Sequence, residues 1–306
     1  MNLSELTSSD FLSRIKGDGI VLQTGAFITR LQTSIPAVID GIRLLYSDYA
    51  LVEDKSYADF HVSLQYPSNA RRWFKPQALF LFDGFAPFAP MPLDHAFPVF
   101  EWGLNWCVSS HAHRYLIIHA AVMEKDGRAV VMPAPPGSGK STLCAALVSR
   151  GWRLLSDELT LISTSDGRIF PMPRPISLKN QSIEIMQNFA PEATFSRKVA
   201  DTIKGTVAHM KAPAESVLRS SEAVRCAWIV FPKYEAGSAP RLESVPQSRA
   251  FMRVADNAFN YSMLGVHGFR ALAGVIDSSL CYDFTYSNLE DAIDIFSTLK
   301  PRDAAL

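Results

Sequence analysis

The alternation of hydrophobic and polar positions predicts strands in the first part of the chain and a helix after them. Residues 58–67 alternate apolar and polar side chains, as a half-buried strand does, and residues 77–82 form a second apolar run. Residues 19–31 fit a further strand. A proline-rich stretch, 84–98, interrupts regular structure, and the large apolar residues that begin near its end recur at helical spacing. This helix is expected to pack the two parts of the chain together.

The second half of the pattern is typical of a nucleotide-binding core. Residues 115–124 and 127–134 are two apolar runs joined by an Asp-Gly turn, which predicts adjacent strands. Residues 140–151 combine good helix formers with one apolar face and a terminal glycine, and residues 152–163 fit a strand with two acids in its middle. An amphipathic helix is predicted over 288–299. Strand, loop, helix and strand in this order predict an α/β (α+β) fold class.

Length and composition add a domain division and exclude some partners. A chain of 306 residues is long enough for two domains, and we expect a small N-terminal α+β domain of unknown role over 1–93 and a P-loop catalytic domain over 94–306. Thirty basic and thirty acidic residues cancel, so the net charge indicates neither a nucleic-acid nor a membrane partner. The four cysteines are scattered, and no apolar run has the length of a signal peptide or a membrane span. These features predict a cytoplasmic protein.

The candidate chemistry begins at residues 134–141, APPGSGKS, which fit the spacing of a phosphate-binding loop with Ala in place of the first Gly. Gly137 and Gly139 permit positive φ and let backbone N–H groups close around phosphate oxygens. Lys140 supplies a positive charge, and the Ser141 hydroxyl can bind Mg²⁺. A chance glycine-rich turn is the competing interpretation, which the flanking strand and helix disfavour. The residues predicted to bind ATP are Pro136, Gly137, Ser138, Gly139, Lys140, Ser141 and Thr142.

Asp157 and Glu158 follow the loop where P-loop enzymes carry a further metal-binding or catalytic element. Adjacent side chains on a strand point to opposite faces, so both acids can reach one site only where the strand ends or bends. A solvent-facing acidic pair is the alternative. His119, in the strand before the loop, fits either a core histidine or a catalytic one on this pattern alone.

His119, the loop and the Asp157-Glu158 pair occur in the order and at the intervals seen in HPr kinase/phosphorylase. In that family a His-Gly or His-Ala strand, a GxSGxGKS loop, a helix ending in Arg-Gly and a strand ending in Asp-Asp follow one another. The chain most resembles the HPr kinase-related proteins (HprK-related kinase A type), in which a different N-terminal domain precedes the kinase core. PEP carboxykinase shares this core more distantly. The resemblance is specific over residues 115–163.

The resemblance implies an ATP- and Mg²⁺-dependent kinase that phosphorylates a serine or threonine hydroxyl of a peptide or small protein. Asp157 would accept the hydroxyl proton, with His119 orienting its carboxylate and Lys140 neutralising charge on the transferred group. Glu158 and Ser141 would hold Mg²⁺. The family is oligomeric, which implies a homo-oligomer. The further candidates for binding substrate or phosphate are Arg174, Lys179 and Lys204.

The chain departs from the family at Thr202, which stands where the family has Glu in its EIRGLG signature, although Lys204-Gly205 keep a basic residue and a glycine. This departure weakens the inference of phosphorylase activity and of one metal contact. Two other functions stay open. One is phosphotransfer to a small metabolite such as free serine, and the other is a nucleotide-dependent switch without phosphotransfer. The presence of Asp157, Glu158 and His119 favours phosphotransfer over nucleotide binding alone, because a switch needs no general base.

Overall fold

The computed structural model describes residues 1–53, 57–69 and 74–302, which form an α+β protein with three sheets. The helices are α1 (Ser8–Lys16), α2 (Pro36–Leu45), α3 (Ala96–His111), α4 (Lys140–Ser149), α5 (Gln181–Phe189), α6 (Ala214–Leu218), α7 (Gln247–Asp256), α8 (Tyr261–Leu264), α9 (Val266–Ser278) and α10 (Leu289–Ser297). The strands are β1 (Ile20–Thr24), β2 (Phe27–Thr33), β3 (Phe60–Gln65), β4 (Gln77–Phe82), β5 (Met91–Pro92), β6 (Tyr115–Lys125), β7 (Arg128–Pro133), β8 (Arg153–Ser156), β9 (Leu159–Ser163), β10 (Ile169–Phe170), β11 (Ile176–Lys179), β12 (Val199–Thr202), β13 (Gly205–Met210), β14 (Arg225–Tyr234), β15 (Arg241–Ser244) and β16 (Leu280–Tyr286). None of these helices, within the described ranges, is long and apolar enough to cross a membrane.

The N-terminal sheet has the order β1-β2-β3-β4-β5. The strands predicted at 58–67 and 77–82 are present as β3 and β4. The single strand predicted over 19–31 is wrong, because this segment is a hairpin of β1 and β2. Gly25 takes a φ of +63°, the left-handed conformation that reverses the chain between two apolar runs. The predicted domains 1–93 and 94–306 each include residues outside the described ranges, and their boundary stays a prediction.

Helix α3 joins this sheet to the rest of the protein, as its apolar spacing predicted. It contacts α2, β3 and β4 on the N-terminal side. Its polar residues Glu101 and Asn105 bond to Arg174 and Glu158, which lie in the second half of the chain. Buried apolar residues of both parts form one continuous cluster that includes β4 of the N-terminal sheet and the P-loop helix α4.

Close packing of α3 on β4 depends on Gly103, where an added Cβ would overlap the Phe80 ring. We expect Gly103→Ala to lower the free energy of unfolding by about 1–3 kcal/mol relative to Gly274→Ala. Gly274 lies on α9, where an added Cβ would meet no neighbouring atom, and the gain in helix propensity is common to both variants. Urea unfolding measures the difference, and equal stability of the two variants would contradict the packing at Gly103.

The central sheet has the order β10-β9-β6-β7-β14-β16-β15, and β8 also pairs with β6. The predicted strands 115–124 and 127–134 are confirmed as the antiparallel pair β6 and β7, joined at Asp126-Gly127, which both take positive φ. Strands β7, β14 and β16 are parallel, so their carboxyl ends meet at one edge of the sheet. Ligands of α/β proteins bind at this kind of edge.

The strand predicted over 152–163 is divided into β8 and β9 at the acids. Both segments pair with β6, with Ser156 opposite Val122 and Leu159 opposite His119. The break frees Asp157 and Glu158 from the regular alternation of a strand. The third sheet, of order β11-β13-β12, lies beside this break and carries the basic candidates at 179 and 204.

Candidate active site

A groove of about 740 Å³ lies over the loop between β7 and α4, and we call it the P-loop groove. Gly137 and Gly139 take φ values of +84° and +87°, as the sequence predicted. Gly139 is also the N-cap of α4, where the first backbone N–H groups of a helix lack partners within it. The loop thus has the local conformation that anion binding requires. The residues predicted to bind ATP all line the groove: Pro136, Gly137, Ser138, Gly139, Lys140, Ser141 and Thr142.

The ends of the other two parallel strands hold this loop in place. The Tyr286 hydroxyl, at the end of β16, donates to the Gly139 carbonyl over 3.0 Å. The Tyr234 N–H, at the end of β14, donates to the Ser138 carbonyl over 2.9 Å. A side chain on residue 139 would overlap the Tyr286 hydroxyl, so glycine is required there for space as well as for its positive φ.

Asp157 lies under the start of α4 and is only 5% exposed. Its Oδ2 accepts from the Ser177 N–H over 3.2 Å, and its backbone carbonyl accepts from Lys140 Nζ over 3.2 Å. Its Oδ1 is buried without a hydrogen-bond partner. Burial raises the pKa of the Asp157 carboxyl, while the Lys140 ammonium and the adjacent Ser141 side chain lower it by less. The Asp157 carboxyl is therefore enclosed beside the P-loop rather than exposed to solvent.

Glu158 is half-buried and lines the P-loop groove. Its Oε2 accepts from Asn105 Nδ2 over 2.6 Å. Burial acts to raise the pKa of its carboxyl. Three ammonium groups outweigh burial and hold this pKa below its usual range: those of Lys204, Lys140 and Lys179. The two carboxylates therefore lie in different environments, with Asp157 enclosed and Glu158 in the groove. This arrangement excludes the alternative of a solvent-facing acidic pair.

His119 also lines the groove, where its ring lies 5.9 Å from the exposed ring of Phe259. Its backbone N–H donates to the Asn257 carbonyl over 2.8 Å. Burial and then the charge of Lys140 lower the pKa of the His119 ring to about 4, while Glu158 acts in the opposite direction. The imidazole is therefore neutral at pH 7, with one N–H donor and one acceptor nitrogen.

We expect the His119 ring to titrate near pH 4 in an NMR titration, well below the usual 6.5. The folded protein then binds fewer protons at this residue than the unfolded chain between these pH values. The contribution of neutral His119 to stability is complete above pH 6.5 and is lost as the pH falls toward 4. His119→Asn should remove this part of the pH dependence. A titration midpoint between 6 and 7 for His119 would contradict the described burial.

Of the basic candidates, Lys179 lines the P-loop groove at the end of β11. Lys204 lies in the turn between β12 and β13, with its Nζ 4.8 Å from the centre of the Trp102 ring. Burial lowers the pKa of Lys204, and the nearby Glu158 carboxylate acts to raise it. Thr202 closes the same turn by donating to the Gly205 carbonyl over 2.6 Å. Both lysines thus act on Glu158, but only Lys179 belongs to the lining of the groove.

The third basic candidate, Arg174, does not reach the groove. Its guanidinium is buried and forms an ion pair with Glu101. It also donates to the Glu101 carbonyl over 2.8 Å and to Asn105 Oδ1 over 2.7 Å. With these partners Arg174 is engaged inside the protein rather than free to meet a phosphate.

Glu101 and Asn105 belong to the surroundings of the site, and the sequence interpretation missed both. They stand four residues apart on α3, so they share one face of a helix whose other residues are largely apolar. These two polar positions in a largely apolar helix were the one local feature of the sequence that could have indicated a role for Glu101 and Asn105. Their partners lie 53 to 73 positions away in the chain, which no local pattern reveals.

The residues around Ser141 fit a magnesium ion. No group of three or more His, Cys, Asp or Glu side chains that could hold a metal occurs in the described ranges. Magnesium at a P-loop instead takes a loop hydroxyl, one carboxylate, phosphate oxygens and water. The unpartnered Asp157 Oδ1 beside Ser141 would supply the carboxylate of such a set.

Comparison with known proteins gives distant similarities. A family model described as SynChlorMet cassette protein ScmC matches residues 102–189, less than half of the chain. Among solved structures, the Hpr(Ser) kinase/phosphatase from Coxiella burnetii is similar at 12% identity, over 59% of this chain and 95% of that chain, with a TM-score of 0.25. No curated protein matches the chain by sequence. The similarity is weak, so the function rests on the residues of the site.

Proposed function

We propose that this protein is an ATP-dependent kinase that transfers the γ-phosphate to a serine or threonine hydroxyl of a peptide or small protein. The observation that carries the proposal is one groove lined by a P-loop lysine, a carboxylate and a neutral imidazole: Lys140, Glu158 and His119. Nucleotide binding alone needs the loop but not a carboxylate with an imidazole beside it. The combination therefore supports group transfer.

At the phosphate end of the groove, the loop and the start of α4 bind the β- and γ-phosphates through backbone N–H groups. Lys140 neutralises the charge on the transferred phosphoryl group. Ser141 and Asp157 would hold Mg²⁺, which neutralises charge on the phosphate oxygens when bound.

At the acceptor end, the hydroxyl oxygen of the acceptor bonds to the γ-phosphorus, and the bond from this phosphorus to the ADP oxygen breaks. Glu158 accepts the proton that the hydroxyl loses. Neutral His119 lines the same groove as Glu158, so its ring N–H would assist in orienting the acceptor hydroxyl or the carboxylate. The sequence interpretation gives the base to Asp157 and the metal to Glu158. We favour the reverse, because a base must approach the hydroxyl to about 3 Å and Asp157 is buried beside Ser141.

A polypeptide acceptor is supported by the surface next to His119. The Phe259 side chain is 53% exposed, and its ring lies 5.9 Å from the His119 ring. An exposed aromatic side chain beside the reacting end of a groove suits apolar residues that flank an acceptor serine. A small metabolite such as free serine is the second candidate, favoured by Lys179 in the lining of the groove, whose ammonium would pair with the carboxylate of free serine.

Incubation with γ-labelled ATP separates these functions. The acceptors to compare are a library of serine- and threonine-containing peptides, free serine and water. Label in peptides supports the proposed kinase, and label in free serine supports the metabolite kinase. Label released only as free phosphate would contradict both, and bound ATP that stays intact would identify a nucleotide-dependent switch.

A further inference from the structure

Asn105 on α3 joins Glu158 to a buried arginine. Its Nδ2 donates to Glu158 Oε2 over 2.6 Å, and its Oδ1 accepts from Arg174 Nη1 over 2.7 Å. A carboxylate only accepts and a guanidinium only donates, so both partners demand the same orientation of the amide. Asn105 therefore holds the Glu158 carboxylate from the side of the N-terminal sheet.

Arg174 is in turn fixed by a buried network. Its guanidinium pairs with the Glu101 carboxylate and donates to the Tyr46 hydroxyl over 3.4 Å. Tyr46 donates to Glu101 Oε1 over 2.7 Å. Arg174, Glu101 and Tyr46 are 7%, 3% and 0% exposed, so water cannot replace these hydrogen bonds. A buried chain of polar contacts thus runs from Tyr46, at the end of α2, through α3 to the acid in the groove.

The charges around Glu158 explain why it needs a fixed neutral partner. The ammonium groups of Lys140, Lys179 and Lys204 all attract its carboxylate. A carboxylate without another strong hydrogen bond would rotate toward the nearest of these lysines. A displacement of about 1 Å is enough to reduce catalysis about a hundredfold.

We propose that Asn105 is a positioning residue for Glu158, fixed by Arg174 and Glu101, so that helix α3 is an integral part of the catalytic site. This inference rests on the proposed kinase function. Through Tyr46, which bonds to Glu101, the inference also connects the predicted N-terminal domain to the positioning of Glu158.

The test is the variant Asn105→Asp, with Ser109→Ala on the same helix as its matched control. The new carboxylate still accepts from Arg174 but repels Glu158 in place of donating to it. We expect kcat to fall about 10- to 100-fold, as for loss of a hydrogen bond to a charged group, with the Kd for ATP within twofold. If Asn105 were needed only for folding, the Asn105→Asp variant would remain active, because its hydrogen bond with Arg174 is kept.

A measurement that needs no activity separates this inference from the kinase proposal. Carbon-13 labelling of the glutamate side-chain carboxyls, with Glu158→Gln for assignment, follows the Glu158 pKa by NMR in the wild type and in Asn105→Ser, which removes the donated hydrogen bond without adding a charge. We expect the Glu158 pKa to rise in this variant and to stay constant in Ser109→Ala. An unchanged Glu158 pKa, or an unchanged kcat in an active enzyme, would overturn the positioning role. Absence of phosphotransfer in the wild type would overturn only the kinase proposal, because the NMR result still decides the role of Asn105.

Should Asn105→Asp fail to fold, Asn105→Ser also provides the comparison of kcat, because its side chain is smaller and uncharged and cannot span both partners. Thermal unfolding of each variant shows which one to use.

Discussion

Replacing Glu158 by Gln should lower phosphotransfer by about 10²- to 10⁴-fold while leaving the affinity for ATP unchanged, because the amide cannot accept the hydroxyl proton. Asp157→Asn should instead raise the Mg²⁺ concentration needed for half-maximal activity, because this acid lies beside Ser141 under the loop. Calorimetric ATP binding and Mg²⁺ titrations of the transfer rate measure the two effects. Glu243→Gln, which removes an exposed carboxylate on β15, is the control.

The same pair of variants decides between the two assignments of the acids. Loss of transfer in Asp157→Asn with an altered Mg²⁺ requirement in Glu158→Gln would restore the assignment made from the sequence. Full transfer activity in both variants would exclude either acid as the base and would contradict the proposed chemistry. The variants are informative because the acids differ in burial, with Asp157 enclosed and Glu158 open to the groove.

Lys140→Met should reduce kcat/KM for ATP by about 10²- to 10³-fold, as removal of a group that stabilises transition-state charge does. Stability should change less than the kinetics, because two effects oppose each other. Lys140 is 7% exposed, and its ammonium has the Asp157 carbonyl as a hydrogen-bond partner. Removing this buried charge relieves its desolvation cost but also removes an attraction that stabilises the Asp157 and Glu158 carboxylates. Steady-state kinetics and thermal unfolding measure the two effects, with Lys16→Met on α1 as the control.

Two results would contradict this role of Lys140. Unchanged kinetics in Lys140→Met would show that the loop does not bind a transferring phosphate. A large loss of stability with residual activity restored at low temperature would show that Lys140 supports the fold through Asp157 rather than the reaction. The control variant should match the wild type in both measurements.

The local pattern was sufficient to predict β7, the loop and α4, which form one side of the groove, but not β11 and α5, which form another side. The strand-turn-strand pair around Asp126-Gly127 and the helix after the loop are encoded by residues close in sequence. These are features for which turn chemistry and periodicity decide the outcome. The break of the strand at Asp157-Glu158 was not predicted, because the apolar residues on both sides of the acids fit one continuous strand.

The rest of the site depends on contacts between distant segments. Arg174 was expected near phosphate because a basic residue near the acids is a reasonable ligand. Arg174 is instead buried against Glu101 because of how α3 packs, and the sequence around either residue does not indicate this contact. The link from Asn105 to Glu158 arises in the same way, across 53 positions of the chain. The hairpin at Gly25 was missed for a local reason, since one glycine between two apolar runs fits either a turn or a strand.

The fate of the γ-phosphate decides whether the protein is a kinase, and phosphorus-31 NMR with Mg²⁺, ATP and a serine-containing peptide acceptor follows it directly. We expect one new phosphoester signal for each ADP formed, and no such signal when Glu158→Gln replaces the wild type. Formation of ADP with an equal amount of inorganic phosphate and no phosphoester, for every acceptor tested, would contradict the proposed transfer.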